Sequence, residues 1–459
     1  MVKLLVFLTI FLGVIPLGVI LARMYPVFRL IFFCMMVFFT SSMLAIHIYP
    51  IPDWTGTARG FALTTVDISS AIVLLSMLAD PKCKISFAPR GAWFYGLYFI
   101  TVLLSGIDAV YLPQWGFEIV KMIWMYIFFL AAYNFFINCK KLWPLVYTIC
   151  GTLFFMLLVG LYQKYLTGMY YQIPSTLPHQ NSLALYVSLF GALLLGILLN
   201  EKMNRLQVLL VAAGQLSTVL LIIFTYSRGG LFCYFIGCAV VVFFTLIFNG
   251  ITRRQILFTL LGLAGALILL GYAAPRIIQR FQNAPVSSKT TRINLAKAAV
   301  RIANGHYLFG VGANNFSAYT GPHKEYAREQ FEGMIIHPGT EDFGAIVETT
   351  YLLVAAEGGW ISLAMLLIWY GYYFIRSFGC LRYLRNAPCF GVSVGIFGGL
   401  CANYLQSLIE WVLKQYCNFY QLMLIFALTA AVWTTRQAIR KNSVIMKKAV
   451  PGKNGSAAG

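Results

Sequence analysis

Arg228 stands at the centre of Thr225-Tyr226-Ser227-Arg228-Gly229-Gly230, a short polar turn between two apolar runs. Arginine at the middle of a spanning helix costs about 2.5–3.5 kcal/mol, and less near the interface. Its guanidinium is a planar fork that meets a phosphate through two parallel hydrogen bonds. The following glycines permit close backbone approach and leave N–H groups free near a helix start. The competing reading is an interfacial arginine that snorkels to lipid headgroups. Pro178-His179-Gln180-Asn181-Ser182 opens another apolar run. There Asn181 or Ser182 is suited to cap the helix. His179, just outside, is placed to bind a sugar or a pyrophosphate, or to serve structure alone.

The other concentration of reactive groups is the polar stretch from Pro275 to Val347. Three of the five histidines fall in it (His306, His323, His337), and seven of the fourteen acids lie in it or just beyond. Those acids are Glu325, Glu329, Glu332, Glu341, Asp342, Glu348 and Glu357. Ser287 to Thr291 carries a helix-start signal, and Arg292-Ile-Asn-Leu-Ala-Lys-Ala-Ala-Val-Arg-Ile-Ala reads as a short helix. Lys297 and Arg301 share one face of it, a solvated or headgroup-facing stripe. Arg292 sits about 140° around from Lys297 and points elsewhere. Leu308-Phe-Gly-Val-Gly-Ala-Asn-Asn-Phe316 contains GxG without the preceding strand of a dinucleotide fingerprint, so it reads as a turn with a phenylalanine anchor. Glu348 then lies at the start of an apolar run, and Glu357 roughly 14 Å further along it. A carboxylate in an apolar phase must pair or protonate, so Glu357 with its two glycines reads as a packing device bonded to a neighbouring Arg or Tyr.

What must position these residues is a membrane bundle. The sequence is 60% hydrophobic and only 10% charged, far from the composition of a soluble globule. Apolar runs of about 20 residues, each able to cross a hydrocarbon core, recur along it. Thirteen spans are expected near 4–21, 28–47, 61–79, 92–110, 117–137, 143–163, 182–200, 207–226, 231–248, 256–274, 349–375, 389–408 and 416–434. The expected fold is therefore an all-α polytopic membrane protein of about 12–13 transmembrane helices with one long periplasmic insertion. Its regions are 1–274 (spans), 275–347 (insertion), 348–435 (spans) and 436–459 (a basic cytoplasmic tail, expected to be disordered). The first run resembles a signal peptide but lacks an A-x-A cleavage site, so it is expected to be retained.

The formal charge of +20 could suggest nucleic acid, but its placement argues otherwise. Twenty of the 34 Lys and Arg fall in short loops or the tail on one side of the expected topology. That is the positive-inside pattern, with anionic headgroups as partner. It places the N-terminus outside and the tail inside. On the outer face it gathers the 48–60 loop with Arg59, Glu118 with Lys121, the 164–181 loop, the 226–230 turn and the insertion. The ten cysteines show no CxxC pair or disulfide frame. No DxD, HExxH, GxSxG or Walker A sequence appears, which disfavours a metal-dependent enzyme using nucleotide sugars.

The order LPHQNSLALY (177–186), YSRGG (226–230), a long outer loop with an arginine-bearing helix and LFGVGANNF, then YLLVAAEGG resembles the O-antigen ligase and polymerase superfamily of bacterial envelopes. The resemblance covers roughly 177 to 360. It implies a multi-pass glycosyltransferase of the bacterial inner membrane, active on the periplasmic face without cofactor or metal. Such an enzyme takes a glycan from undecaprenyl pyrophosphate and joins it to a hydroxyl of a glycolipid, a glycan or a protein. Arg228 falls on the family's SRGG arginine, and Arg292 resembles the arginine ahead of its GxGxxxF turn. Family members usually carry His-Asn where this chain has Glu348-Thr349. That leaves three possibilities: Glu348 takes the histidine's role, His337 takes it, or this member is altered or inactive. Glu348 is the first choice, since carboxylate and imidazole both serve as general bases when suitably tuned.

The expected function is thus ligase-like transfer, with Arg228 and Arg292 on the pyrophosphate, Glu348 or His337 on the acceptor proton, and His179, Asn181 and Arg59 lining the mouth. A polymerase of the same superfamily differs in acceptor only. A transporter or flippase of lipid-linked glycans is the rival from another class, and it predicts internal repeats and polar residues at mid-membrane. The expected partners are the lipid-linked donor, the acceptor and the bilayer, with no nucleic acid.

Overall fold

A computed structural model of the chain describes residues 2–449 except 43, 52–53, 140, 283–285, 323, 332–343 and 386. Eight helices among the described residues are long and apolar enough to cross a membrane, and three shorter apolar helices accompany them. The chain is an all-α, multi-pass membrane protein. Every apolar run expected to span overlaps a helix, but several boundaries move. The helix expected at 256–274 runs Arg253–Gln282, past the expected start of the insertion, and the last helix runs Tyr416–Ala449, past the expected start of the tail.

The runs at 28–47 and 61–79 are not helical throughout. Ala45–Ile48 and Phe61–Thr64 pair as an antiparallel hairpin, Ala45 opposite Thr64. The cause is local. Thr64 and Asp67 form a reciprocal capping box, Thr64 N–H donating to Asp67 at 2.8 Å and Asp67 N–H to Thr64 at 3.1 Å. The box fixes the helix start at Thr65 and leaves the residues before it extended.

The bundle is built around the helix Gln180–Asn200, whose apolar stretch is 94% buried. The helix Phe390–Gln406 approaches it closely. A Cβ at Gly196 would lie 2.3 Å from the Gly391 carbonyl oxygen, so only glycine permits this crossing. The helix Arg228–Asn249 packs against both. The central helix therefore starts, and its neighbours start or end, at one end of the bundle.

There the turn 306–316 locks into a break in the helix Thr350–Tyr383. Gly359, at φ +77° and ψ 173°, interrupts that helix. An unbroken helix would bond Trp360 N–H to Ala356 C=O. Here Trp360 N–H donates to Tyr307 C=O at 3.0 Å, and Ala356 C=O accepts Val311 N–H at 3.0 Å. The turn thus satisfies both groups that the break exposes. Gly310 makes this approach at φ +66°, and a Cβ there would lie 2.4 Å from the Glu357 carbonyl carbon. Gly310→Ala should therefore cost more than the roughly 1–2 kcal/mol of a left-handed L-residue, because backbone must also move. Its thermal midpoint in detergent should fall clearly below the parent's, and an unchanged midpoint would refute this docking.

Candidate functional site

The insertion helix Val286–Gly305 presents Leu295, Ala299 and Ile302 at helical spacing. All three are buried against Leu353 and Ala356 of the broken helix, with Trp411 alongside. Full burial of a Leu or Ile side chain is worth about 1.5–3 kcal/mol, enough to fix which way the helix faces. Arg292 lies one turn before Leu295 on the same face, and so is aimed at the start of the broken helix.

What it meets there is a pair of carboxylates. Arg292 Nη2 forms an ion pair with Glu348 Oε2 and lies 3.6 Å from Glu410 Oε1. Asn181 Nδ2 donates to Glu410 Oε1 at 2.5 Å. The segment 407–410 is fastened beside Glu348: Thr350 N–H donates to Ser407 C=O at 3.0 Å, and Thr350 Oγ1 to Glu410 C=O at 3.0 Å. Ser182 Oγ bonds Gln415 from the central helix. Three helix ends and one connecting loop therefore converge, with the side chains of Arg292 45% and Glu348 35% exposed over a Glu410 side chain that is only 8% exposed.

Burial raises the Glu348 carboxyl, opposed by Arg292. Burial and the neighbouring Glu348 charge push Glu410 up to about 7, against Arg292 and the Asn181 hydrogen bond. His179 is held below the usual histidine range by burial and by the Arg292 charge. Its Nδ1 accepts Asn181 N–H at 3.2 Å, so His179 is the cap of the central helix. This corrects the assignment of the cap to Asn181 or Ser182, whose side chains reach across to Glu410 and Gln415 instead.

Ser227 Oγ caps the next helix by accepting Gly230 N–H at 3.2 Å, which leaves Arg228 as an exposed first residue. A Cβ on Gly229 would meet Ile409 at 2.4 Å, and one on Gly230 would meet Ala184 at 2.4 Å. The Arg228 turn is therefore packed between the Glu410 loop and the central helix.

Further along the broken helix, at Glu357, lies a second group of charges. Lys414 Nζ is 2.7 Å from Glu357 and 3.7 Å from Glu118, which itself pairs with Lys121 at 2.5 Å. Thr57 Oγ1 donates to Glu118 at 2.6 Å, and Asn314 Oδ1 accepts Thr57 N–H at 2.7 Å. Two expectations change here. Glu118 and Lys121 are each 1% exposed and closed on one another rather than facing an aqueous mouth. The partner of Glu357 is Lys414, not Arg or Tyr. The turn 308–316 is as expected, with Phe316 buried as its anchor and Asn314 tied to the 57–58 backbone. Lys297 and Arg301 share a face and both pair with Glu329, at 3.4 and 2.8 Å.

Of the expected site residues, Arg292, Glu348, Asn181 and His179 are brought together, and Arg228 is brought beside their loop. Arg59 is exposed on the hairpin loop, where its carbonyl accepts Ile51 N–H at 2.8 Å; among the described residues no ion pair joins it to the carboxylates. His337 lies outside the described residues, as do His323, Glu332, Glu341 and Asp342. No group of three or more potential metal-binding side chains occurs among the described residues. Glu410 was not anticipated. The signal available was an acid in an apolar connection, four residues before Lys414, on the same expected side as the insertion. Comparison with known proteins finds no family model that matches the chain and no curated protein that matches it.

Proposed function

We propose that this chain transfers a glycan from undecaprenyl pyrophosphate to an acceptor hydroxyl at the periplasmic face of a bacterial inner membrane. The observation that carries the reading is the half-exposed Arg292 held over two carboxylates, with the Arg228 turn packed against the same loop. Two guanidinium groups match a pyrophosphate and offset the charge that develops on it as it leaves. A carboxylate beside them takes the proton of the attacking hydroxyl. The glycan's anomeric carbon exchanges its bond to phosphate oxygen for a bond to the acceptor oxygen. A polymerase would use the same groups on a different acceptor. The transporter reading is disfavoured because the buried charges around Glu357 are closed on each other in short pairs.

The two classes separate in detergent micelles, which have no second compartment. The purified chain should release undecaprenyl pyrophosphate from a lipid-linked glycan pool once hydroxyl acceptors are added. No release under any acceptor would overturn the reading. The facing is tested separately. In a background freed of its ten cysteines, Lys289→Cys and Tyr307→Cys, both at exposed positions, should react with an impermeant thiol reagent in intact spheroplasts. Reaction only after lysis would put the site on the opposite face.

A further inference from the structure

We propose that Glu410 is the general base of this transfer, and that Glu348 positions Arg292. The inference rests on the transferase reading above. Glu348 is committed to the Arg292 ion pair and is partly open to solvent, with its side chain 35% exposed. Glu410 is built differently. Its Oε1 is fixed by Asn181 at 2.5 Å and lies 3.6 Å from Arg292, so the carboxyl has one orientation. Among the described residues, Oε2 has neither a hydrogen bond nor an ion pair. One oxygen is anchored and the other is available, as a proton acceptor requires.

The neighbouring elements supply the rest. The Glu410 loop is clamped to the start of the broken helix through Thr350, and Ile409 packs on Gly229 beside Arg228. The groups facing Glu410 are Arg292 from the insertion helix, Glu348 from the broken helix, and Asn181 from the central helix, whose His179 cap also feels Arg292. Burial and Glu348 raise the carboxyl to about 7 while Arg292 and Asn181 restrain it. A base in that range is substantially ionised at neutral pH yet strong enough to assist a hydroxyl.

In the step, the acceptor oxygen forms a bond to the anomeric carbon as the carbon–oxygen bond to pyrophosphate breaks. The hydroxyl proton passes to Glu410 Oε2. The electron pair of the breaking bond leaves on the pyrophosphate oxygen, where the arginines meet it. Glu410 then returns its proton to water in the mouth.

The test uses the full chain in lipid nanodiscs, with lipid-linked glycans and acceptors extracted from the cells that express it. Wild-type transfer should rise with pH through about 7. Glu410→Gln should lose about 100-fold or more and the rising limb with it, while still binding farnesyl pyrophosphate. Azide, an anionic nucleophile that needs no base, should form glycosyl azide with Glu410→Ala. Glu348→Gln should keep a rising limb, moved to lower pH because the charge that raises Glu410 is gone, and raise the KM for donor. Where the Glu410 variants do not insert, Asn181→Ala decides, because losing its hydrogen bond should move the limb to higher pH. Wild-type rate and pH profile in Glu410→Gln, no azide product from a donor-binding Glu410→Ala, or an unmoved limb in Asn181→Ala would each overturn the assignment and leave the transferase reading intact. Absence of transfer by the wild type would instead defeat the transferase reading, and the assignment with it.

Discussion

Arg228→Lys, inserted normally, is expected to lose about 100-fold or more of transfer although it keeps the positive charge. Removing one preorganised donor to transition-state charge typically costs about two to three orders of magnitude. Lysine replaces a rigid fork of donors by a point charge on a flexible stem, and cannot reproduce two parallel bonds to a pyrophosphate. The position leaves little slack: Arg228 opens its helix behind the Ser227 cap, and Gly229 and Gly230 are pressed against Ile409 and Ala184. A side chain that only reached lipid headgroups would tolerate lysine. Near-parental transfer by Arg228→Lys would therefore remove the phosphate clamp from the account. The loss should appear in kcat, since the charge it meets develops as the leaving group departs.

The largest stability effect is expected from Lys414→Met. Lys414 bridges Glu357 at 2.7 Å and Glu118 at 3.7 Å, and all three are buried. Burial alone would lower the Lys414 ammonium, but the two carboxylates outweigh it and hold it above the usual lysine range. Removing one partner of a buried pair leaves an uncompensated charge and typically costs about 3–5 kcal/mol. The variant should unfold in detergent at a markedly lower temperature. Glu357→Gln combined with Lys414→Met should recover much of the loss, because neither buried charge is then orphaned. A double variant no better than Lys414→Met would show that packing of the lysine stem, not the ion pair, holds the loop.

The helices were legible because apolar runs of spanning length follow from composition alone. The pairing of Arg292 with a carboxylate was legible only in direction. Its angular offset from Lys297 and Arg301 said that it faced another way, and the buried stripe of Leu295, Ala299 and Ile302 supplies the reason. Glu410 was hidden because a lone acid between two apolar runs has no motif. Its meaning comes from Asn181, 229 residues earlier in the chain, which reaches it only after the central helix packs between its neighbours. The cap of that helix was misassigned for the same reason. Asn181 is a good cap by type, but Glu410 offers it a charged acceptor, and His179 takes the capping role left over. The break at Gly359 was equally out of reach, since the partner that satisfies its backbone is the distant turn at 307–311.

The most direct test of the central claim follows the oxygen atom of the acceptor. Hydroxyl acceptors exchanged with heavy oxygen are supplied to the reconstituted chain with its lipid-linked glycan, and the products are weighed. Transfer to the anomeric carbon predicts a glycosylated acceptor that keeps the heavy oxygen, together with unlabelled undecaprenyl pyrophosphate. Heavy oxygen in the phosphate, or a donor returned unchanged with every acceptor offered, would contradict the account.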